Sequence, residues 1–178
     1  KWLLNYQVTW GAVIGKRKQV EKTPDNFLEY YEEATDMWKI DLYNIFQGLN
    51  ERGAIGRLHI AYERKIKRSS FSLEGGLQYL LSQNFETKTY ADQFALQIEP
   101  RFYYRLKKDT NNGNNANNLS SMYFGLLTQW NISNTALSPI KRTLQNNLTW
   151  GFQERIFKHF FLDYKIGLGL NGIADKNN

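Results

Sequence analysis

Hydrophobic and polar residues alternate one by one along most of the chain, and the clearest case is the stretch 93–107. Its apolar positions are Phe94, Leu96, Ile98, Pro100, Phe102, Tyr104 and Leu106, while glutamine, glutamate and arginine fill most positions between them. Successive side chains of a strand point to opposite faces, so the pattern predicts a long β-strand with one apolar and one charged face. Pro100 removes one backbone donor, so we expect a bulge or a distorted pairing there.

Seven further stretches show the same alternation, which gives eight predicted strands. They cover residues 2–14, 38–47, 56–66, 71–81, 122–132, 144–152 and 160–172. Most are joined by short connections, and an antiparallel up-and-down arrangement of this kind closes into a barrel without free strand edges. The interior of an eight-stranded barrel is about filled by side chains. The sequence therefore predicts an all-β, eight-stranded antiparallel barrel without a wide pore.

One segment near the N-terminus departs from this alternation. Thr23 is a typical helix N-cap, Pro24 suits the first helical position, and aromatic residues follow at helical spacing. We therefore predict one short helix at 24–37, within a loop insertion at about 15–37. The helical period continues into 38–47, but the alternation of apolar and polar residues there favours a strand. The whole chain of 178 residues is expected to form a single domain.

Each strand has one charged face and one apolar face, and the type of barrel depends on which of the two faces lines the interior. If the charged faces point inward, the lumen collects charges of both signs that can pair with one another. This predicted lumen network consists of Arg57, His59, Glu63, Lys65, Glu74, Glu99, Arg101, Arg105, Arg155, Asp163 and Lys165. The apolar faces then point outward, and many aromatic residues fall near strand ends, as in the aromatic girdles of membrane barrels. We favour this transmembrane arrangement over the inverse, a soluble lipocalin-like barrel with its apolar faces inside.

Composition excludes several classes of protein. The chain has no cysteine and only two histidines, which rules out thiolate and histidine-rich metal sites, and we expect no metal or cofactor. It has no apolar run of ~18 residues and therefore no transmembrane helix. The net charge of +6 permits an anionic partner. Nucleic acid is not expected, because basic and aromatic residues lie on opposite strand faces, whereas single-strand binding combines them.

Three short motifs resemble the small outer-membrane β-barrels of Bacteroidetes, a family of unknown function. They are Tyr62-Glu63-Arg64 before a short turn, Arg101-Phe102-Tyr103-Tyr104 in the central strand, and Gly167-Leu168-Gly169 near the C-terminus. The resemblance covers about residues 40–170 and implies an outer-membrane barrel whose partners are outer-membrane lipid and other envelope proteins. The motifs are strand patterns rather than catalytic signatures.

The chain departs from that family pattern in three places. Glu99 and Pro100 occur in swapped order, and residues 1–37 have no counterpart in the pattern. The family also continues into one more strand after the glycine-rich segment. We therefore expect the strand at 2–14 to close the barrel in its place.

Candidate catalytic residues are few. His59 and Glu63 share one strand face, and Ser69, Ser70 and Ser72 lie near a strand turn, but no spacing fixes a serine close to a histidine. We therefore expect a non-enzymatic outer-membrane barrel, acting as a structural or accessory subunit of an envelope complex. Two alternatives remain open: a membrane-embedded lipid-modifying enzyme and a soluble lipocalin-like carrier of a hydrophobic ligand.

Overall fold

The computed structural model describes residues 2–12, 18–20, 31–33, 36–41, 48–50, 53–66, 69–106, 119–135, 138–157 and 160–174. The regular elements of this part of the chain are strands. They are β1 Trp2–Ala12, β2 Lys18–Val20, β3 Tyr31–Glu33, β4 Asp36–Ile40, β5 Gly48–Asn50, β6 Gly53–Lys65, β7 Phe71–Asn84, β8 Thr89–Phe102, β9 Ser121–Thr135, β10 Ser138–Phe157 and β11 Phe160–Ala174.

Eight of these strands form a nearly closed antiparallel barrel in the order β4-β1-β11-β10-β9-β8-β7-β6. β4 completes the ring by pairing with β1 at Trp10–Ala12 and with β6 along Asp36–Ile40. β5 pairs with the start of β6, while β2 and β3 form a separate two-stranded sheet. The predicted eight-stranded antiparallel barrel is confirmed, and so is the expectation that the first strand helps to close it.

The strands are inclined to the barrel axis, as their register shows. Cross-strand partners can be traced from β1 to β6 by two routes around the barrel. The long route, through β11, β10, β9, β8 and β7, leads from Asn5 to Lys65. The short route, through β4 alone, leads from Trp10 to Ile60. The long route adds sixty to the residue number and the short route adds fifty. One full circuit of the barrel therefore ends ten residues away from its starting point on the same strand. For eight strands at ordinary spacings, that stagger corresponds to a tilt of about 40°.

The predicted helix at 24–37 is wrong in the part that the structure describes. Tyr31–Glu33 is strand β3, and β4 begins at Asp36, while residues 21–30, 34–35 and 42–47 lie outside the described residues. Tertiary pairing explains the difference, because β4 hydrogen-bonds to strands on both sides and this outweighs a local helical spacing. Among the described residues, no helix is long and apolar enough to cross a membrane.

The central strand of the prediction, β8, illustrates how the two faces are used. Phe94, Leu96 and Ile98 are exposed, whereas Gln97 and Glu99 are buried. The apolar faces therefore point outward and the polar faces inward, as the alternation predicted. Folded soluble proteins show the reverse preference, since charged residues are rarely buried in them.

Pairing between β8 and β9 is interrupted between Ile98 and Arg101, and the register is unchanged across the gap. The predicted distortion at Pro100 is confirmed, without a bulge.

The height of the outer apolar surface can be derived from the exposed charged residues of strand β10. Arg142 and Glu154 are both exposed and lie twelve residues apart, and exposed Leu144, Leu148 and Trp150 lie between them. At a tilt of about 40°, this separation corresponds to about 30 Å along the barrel axis. We call the surface between these two levels the apolar band.

Outward-facing aromatic rings surround one end of the apolar band, and we call them the aromatic girdle. Its members are Trp38, Tyr62, Phe71, Phe102, Tyr104, Phe124, Trp150, Phe160 and Tyr164. Several pack against rings of the neighbouring strand or turn, with centroid separations of 4.9 to 5.0 Å. A second group of exposed aromatic residues, Tyr79, Phe94 and Trp130, lies on adjacent strands toward the other end.

Candidate functional site

The barrel interior contains seven buried acidic and basic side chains at one level, which we call the charge cluster. Its members are Lys39, Glu63, Glu74, Glu99, Arg101, Asp163 and Lys165. The register brings them together, because Glu63, Glu74 and Glu99 are direct cross-strand partners on β6, β7 and β8. Like charges placed opposite one another repel, so these three carboxylates require cations between them.

Arg101 supplies the central cation. Its Nη1 lies 2.8 Å from Asp163 and 3.2 Å from Glu63, and its Nη2 lies 2.6 Å from Glu99 and 2.8 Å from Glu74. One guanidinium therefore contacts all four carboxylates of the charge cluster. Arginine suits this role because its planar group carries five N–H donors in a fixed geometry.

Two lysines complete the balance of charge. Lys39 Nζ lies 2.7 Å from Glu63, 2.7 Å from Glu74 and 2.5 Å from Asp163. Lys165 Nζ lies 2.9 Å from Glu99 and 3.4 Å from Glu74. Four carboxylates thus face three cations, and every carboxylate contacts at least two of them. Such mutual pairing is what makes buried charges tolerable away from water.

Neutral hydroxyl groups satisfy further lone pairs of the carboxylates. The donors are Ser72 and Tyr103 to Glu63, Tyr123 to Asp163 and Thr149 to Glu99. The aromatic ring of Tyr123 also stacks against the guanidinium of Arg101, whose Cζ lies 4.3 Å from the centre of the ring. These contacts fix the positions of the charged groups, because each is held from several strands at once.

Apolar side chains close the lumen beyond the charge cluster, toward the end that carries the aromatic girdle. This apolar cap consists of Met37, Tyr103, Leu106, Leu119, Tyr123 and Phe161, all buried. Met37, Tyr103 and Phe161 each lie two residues from a member of the charge cluster, at the next inward position. Gln153 donates from its Nε2 to the carbonyl oxygen of Leu119 at 2.5 Å, which ties the cap to β10.

Gly151 makes room for Tyr123 and provides a test of this packing. A Cβ atom at Gly151 would lie 2.5 Å from the Tyr123 hydroxyl oxygen, whereas a Cβ at Gly75 would meet nothing within 4 Å. We expect Gly151→Ala to lower the free energy of unfolding by about 1–3 kcal/mol through overpacking, measured by urea titration. Gly75→Ala is the matched control and should be neutral or slightly stabilising. Equal effects of the two would show that the lumen is not tightly packed around Tyr123.

The lumen on the other side of the charge cluster contains a cavity of about 210 Å³. Side-chain amides dominate its wall, and we call it the amide cavity. The amides are Gln78, Gln93, Gln97, Gln129, Gln145 and Asn147. Arg57 also lines the cavity, and Thr149 and Lys165 line it where it meets the charge cluster.

The structure places the sequence-predicted lumen residues in different surroundings. Glu63, Glu74, Glu99, Arg101, Asp163 and Lys165 come together in the charge cluster. His59 and Lys65 are buried on the inward face of β6, and Arg57 lines the amide cavity. The side chain of Arg155 lies outside the described residues.

The lumen position predicted for Arg105 is wrong. β8 ends at Phe102 and residues 103–106 turn away, so the alternation no longer determines where Arg105 points. Arg105 is exposed, and its Nη1 lies 3.7 Å from the Met122 sulfur.

Sequence reasoning missed three features of the lumen. Lys39 is a lumen charge that the predicted network does not include, although it alternates with outward Trp38 and Ile40. The inward aromatic residues Tyr103 and Tyr123 signalled the apolar cap. The glutamines at inward positions of β7, β8, β9 and β10 signalled the amide cavity.

Two of the candidate serines form hydrogen bonds with neighbouring groups of the barrel. Ser72 is buried and donates its hydroxyl hydrogen to Glu63, and Ser69 donates to the carbonyl oxygen of Ile66 at 2.5 Å. No group of acidic or histidine side chains suited to a metal ion occurs in the described part of the chain. Comparisons with protein-family models, with curated proteins and with solved structures give no match for this chain.

Proposed function

We propose that this protein is a non-enzymatic transmembrane β-barrel of the bacterial outer membrane, with a structural or accessory role in an envelope complex. The observation that carries the proposal is the apolar band, about 30 Å high between the levels of Arg142 and Glu154. That height is close to the thickness of the hydrocarbon core of a bilayer. The outward aromatic residues toward both ends of the barrel occupy the levels where membrane barrels carry aromatic girdles.

One polar pair on the outer surface also suits a lipid environment. Asn146 faces outward between Leu144 and Leu148, and its side-chain oxygen accepts a hydrogen bond from the Thr128 hydroxyl at 3.0 Å. A polar group in hydrocarbon requires such a partner, because no water is there to replace it.

A soluble lipocalin-like carrier fits the same surfaces poorly. Its outer face would present leucine, isoleucine and phenylalanine to water on strand after strand, far beyond the few hundred Å² of contiguous apolar surface usual for soluble monomers. Its ligand site would also be amide-lined, whereas a hydrophobic ligand requires a mainly apolar wall.

The closed lumen supports the proposal of an accessory role. The charge cluster and the apolar cap fill one half of the barrel interior, so the described residues leave no continuous pore past them. No catalytic constellation is present to support a lipid-modifying activity in this part of the chain. For a structural or accessory role, the surfaces available to lipid and to neighbouring envelope proteins are the outer wall and the two rims.

Folding in the presence and absence of a membrane mimic tests the proposal. We expect the purified chain to aggregate in buffer and to fold in detergent micelles or lipid vesicles, with β-rich circular dichroism. The folded form should migrate differently from the boiled form on a gel, and brominated lipids should quench its tryptophan fluorescence. A soluble, β-rich monomer without detergent would contradict the proposal and would favour the lipocalin-like alternative.

The closed lumen also predicts electrical behaviour. Reconstituted into planar bilayers, the folded protein should produce no steady conductance, because the charge cluster is cross-linked from five strands and the apolar cap excludes water. A porin of sixteen strands in the same bilayers serves as the positive control, since barrels of that size enclose an aqueous channel. Stable single-channel steps from the folded protein would contradict a closed lumen.

A further inference from the structure

The amide cavity contains polar groups that the barrel itself leaves unused. Gln97 is more than nine-tenths buried, and its side-chain oxygen, Oε1, has no hydrogen-bond partner among the described residues. Its amide nitrogen donates to the Gln78 oxygen at 3.1 Å, so the orientation of the side chain is fixed. A buried acceptor without a donor is costly. A hydrogen-bond donor placed in the cavity would remove that cost.

Arg57 provides the second unused group. Its side chain lines the same cavity, and its buried Nε has no hydrogen-bond partner in the part of the chain that the structure describes. The other cation that lines the cavity, Lys165, is already paired with Glu99 and Glu74. The cavity therefore offers one uncommitted positive charge, which matches a singly charged anion better than a doubly charged phosphate. A guanidinium also fits the planar geometry of a carboxylate.

We propose that the amide cavity is a binding site for a small hydroxylated carboxylate, of the chemical class of the sugar acids. The carboxylate lies against Arg57, and a ligand hydroxyl donates to Gln97 Oε1. An amide group carries two N–H donors and two acceptor lone pairs. Gln93 and Gln129 each donate one N–H to Asn131, at 2.8 and 2.6 Å, so both keep further hydrogen-bonding capacity for ligand hydroxyl groups. The cavity of about 210 Å³ equals the volume of about seven liquid waters, enough for a ligand of monosaccharide size.

This binding site goes beyond the proposed structural role and does not depend on it. Lys165 of the charge cluster lines the cavity, and the apolar cap closes the lumen beyond the cluster, so the ligand enters and leaves from one side and is not transported through the barrel. The site is thus a receptor site within the lumen. It would remain intact in detergent whatever membrane or partner surrounds the barrel.

Isothermal titration calorimetry on the folded protein tests the proposal with three probes. Sodium D-glucuronate carries both a carboxylate and hydroxyls, D-glucose carries only hydroxyls, and sodium acetate carries only the carboxylate. We expect saturable binding of glucuronate at least about tenfold tighter than that of either control, because losing hydrogen bonds to buried groups has that order of effect. Absence of saturable glucuronate binding at millimolar concentration, or equal binding of glucose, would overturn the proposal.

Three variants locate the site within the protein. Arg57→Gln and Gln97→Met should each weaken glucuronate binding by about tenfold, while the folded state is checked by gel mobility. Arg142→Gln removes the same charge from the outer surface and should leave the affinity unchanged. Equal affinities of Arg57→Gln and Arg142→Gln would overturn the assignment. If Arg57→Gln does not fold, Gln97→Met and the three probes on the unmodified protein still decide.

Discussion

Replacing Arg101 with methionine is expected to lower the free energy of unfolding by about 3–5 kcal/mol, the usual effect of removing one partner from a buried ion pair. Arg101 is buried and contacts all four carboxylates of the charge cluster. Without it, Lys39 and Lys165 alone would balance four buried negative charges. Methionine approximates the volume of the arginine stem, so the loss reports chiefly on charge rather than on a cavity.

Urea titration of the folded barrel in detergent, followed by gel mobility and circular dichroism, measures this effect. Arg105→Met is the matched control, because Arg105 lies only four residues away but is exposed. We expect its effect to stay within about 0.5 kcal/mol, as for most surface substitutions. If both variants were equally stable, the charge cluster would not contribute to stability as described.

The alternation of residues was sufficient to predict the barrel and the direction of its faces. A strand sends successive side chains to opposite sides whatever its neighbours are, so Gln97, Glu99 and Arg101 had to share one face. Mixed charges on that face are tolerable only where they pair, and this favoured a closed lumen. Local pattern and global fold agree along β6 to β11, which is why all six of these strands were predicted, although β10 begins six residues before its predicted start and ends five residues after its predicted end.

Prediction from the alternation of residues failed where strand pairing or a turn, rather than local spacing, determines the conformation. Asp36–Ile40 is compatible with both a helical and a strand period, and only its pairing with β1 and β6 decides between them. That pairing also carries Lys39 into the charge cluster. Arg105 continues the alternation of β8 in the sequence, but the strand has already ended at Phe102. Neither outcome can be read from spacing, because both depend on where pairing stops.

The amide cavity could be predicted from the sequence only in part. The inward positions of Gln78, Gln97 and Gln129 follow from the alternation alone, so their placement in the lumen was predictable. The separation of the lumen into a charged half and an amide half was not, because it depends on the register of five strands relative to one another. A shift of one strand by two residues would keep every face and still disperse the charge cluster.

Leu148→Arg is the second substitution with a large expected effect, and it tests the environment of the outer surface. Leu148 is 62% exposed and lies at the middle of the apolar band, between Arg142 and Glu154. If that band lies in the hydrocarbon core, as we propose, arginine at this level should lower the free energy of unfolding in lipid vesicles by about 2–4 kcal/mol. At an equally exposed position of a water-soluble barrel, the same change would be nearly neutral.

Ile140→Arg separates these two environments. Ile140 lies on the same strand and is 64% exposed, but it lies beyond Arg142, outside the apolar band. The cost of an arginine in a membrane barrel falls to about 0–1 kcal/mol near the interface. The two variants have nearly the same exposure and the same added charge, so a difference between them can arise only from depth. Equal stability in vesicles would place the apolar band outside the bilayer core and would contradict the membrane-spanning proposal, while leaving the lumen and its binding site untouched.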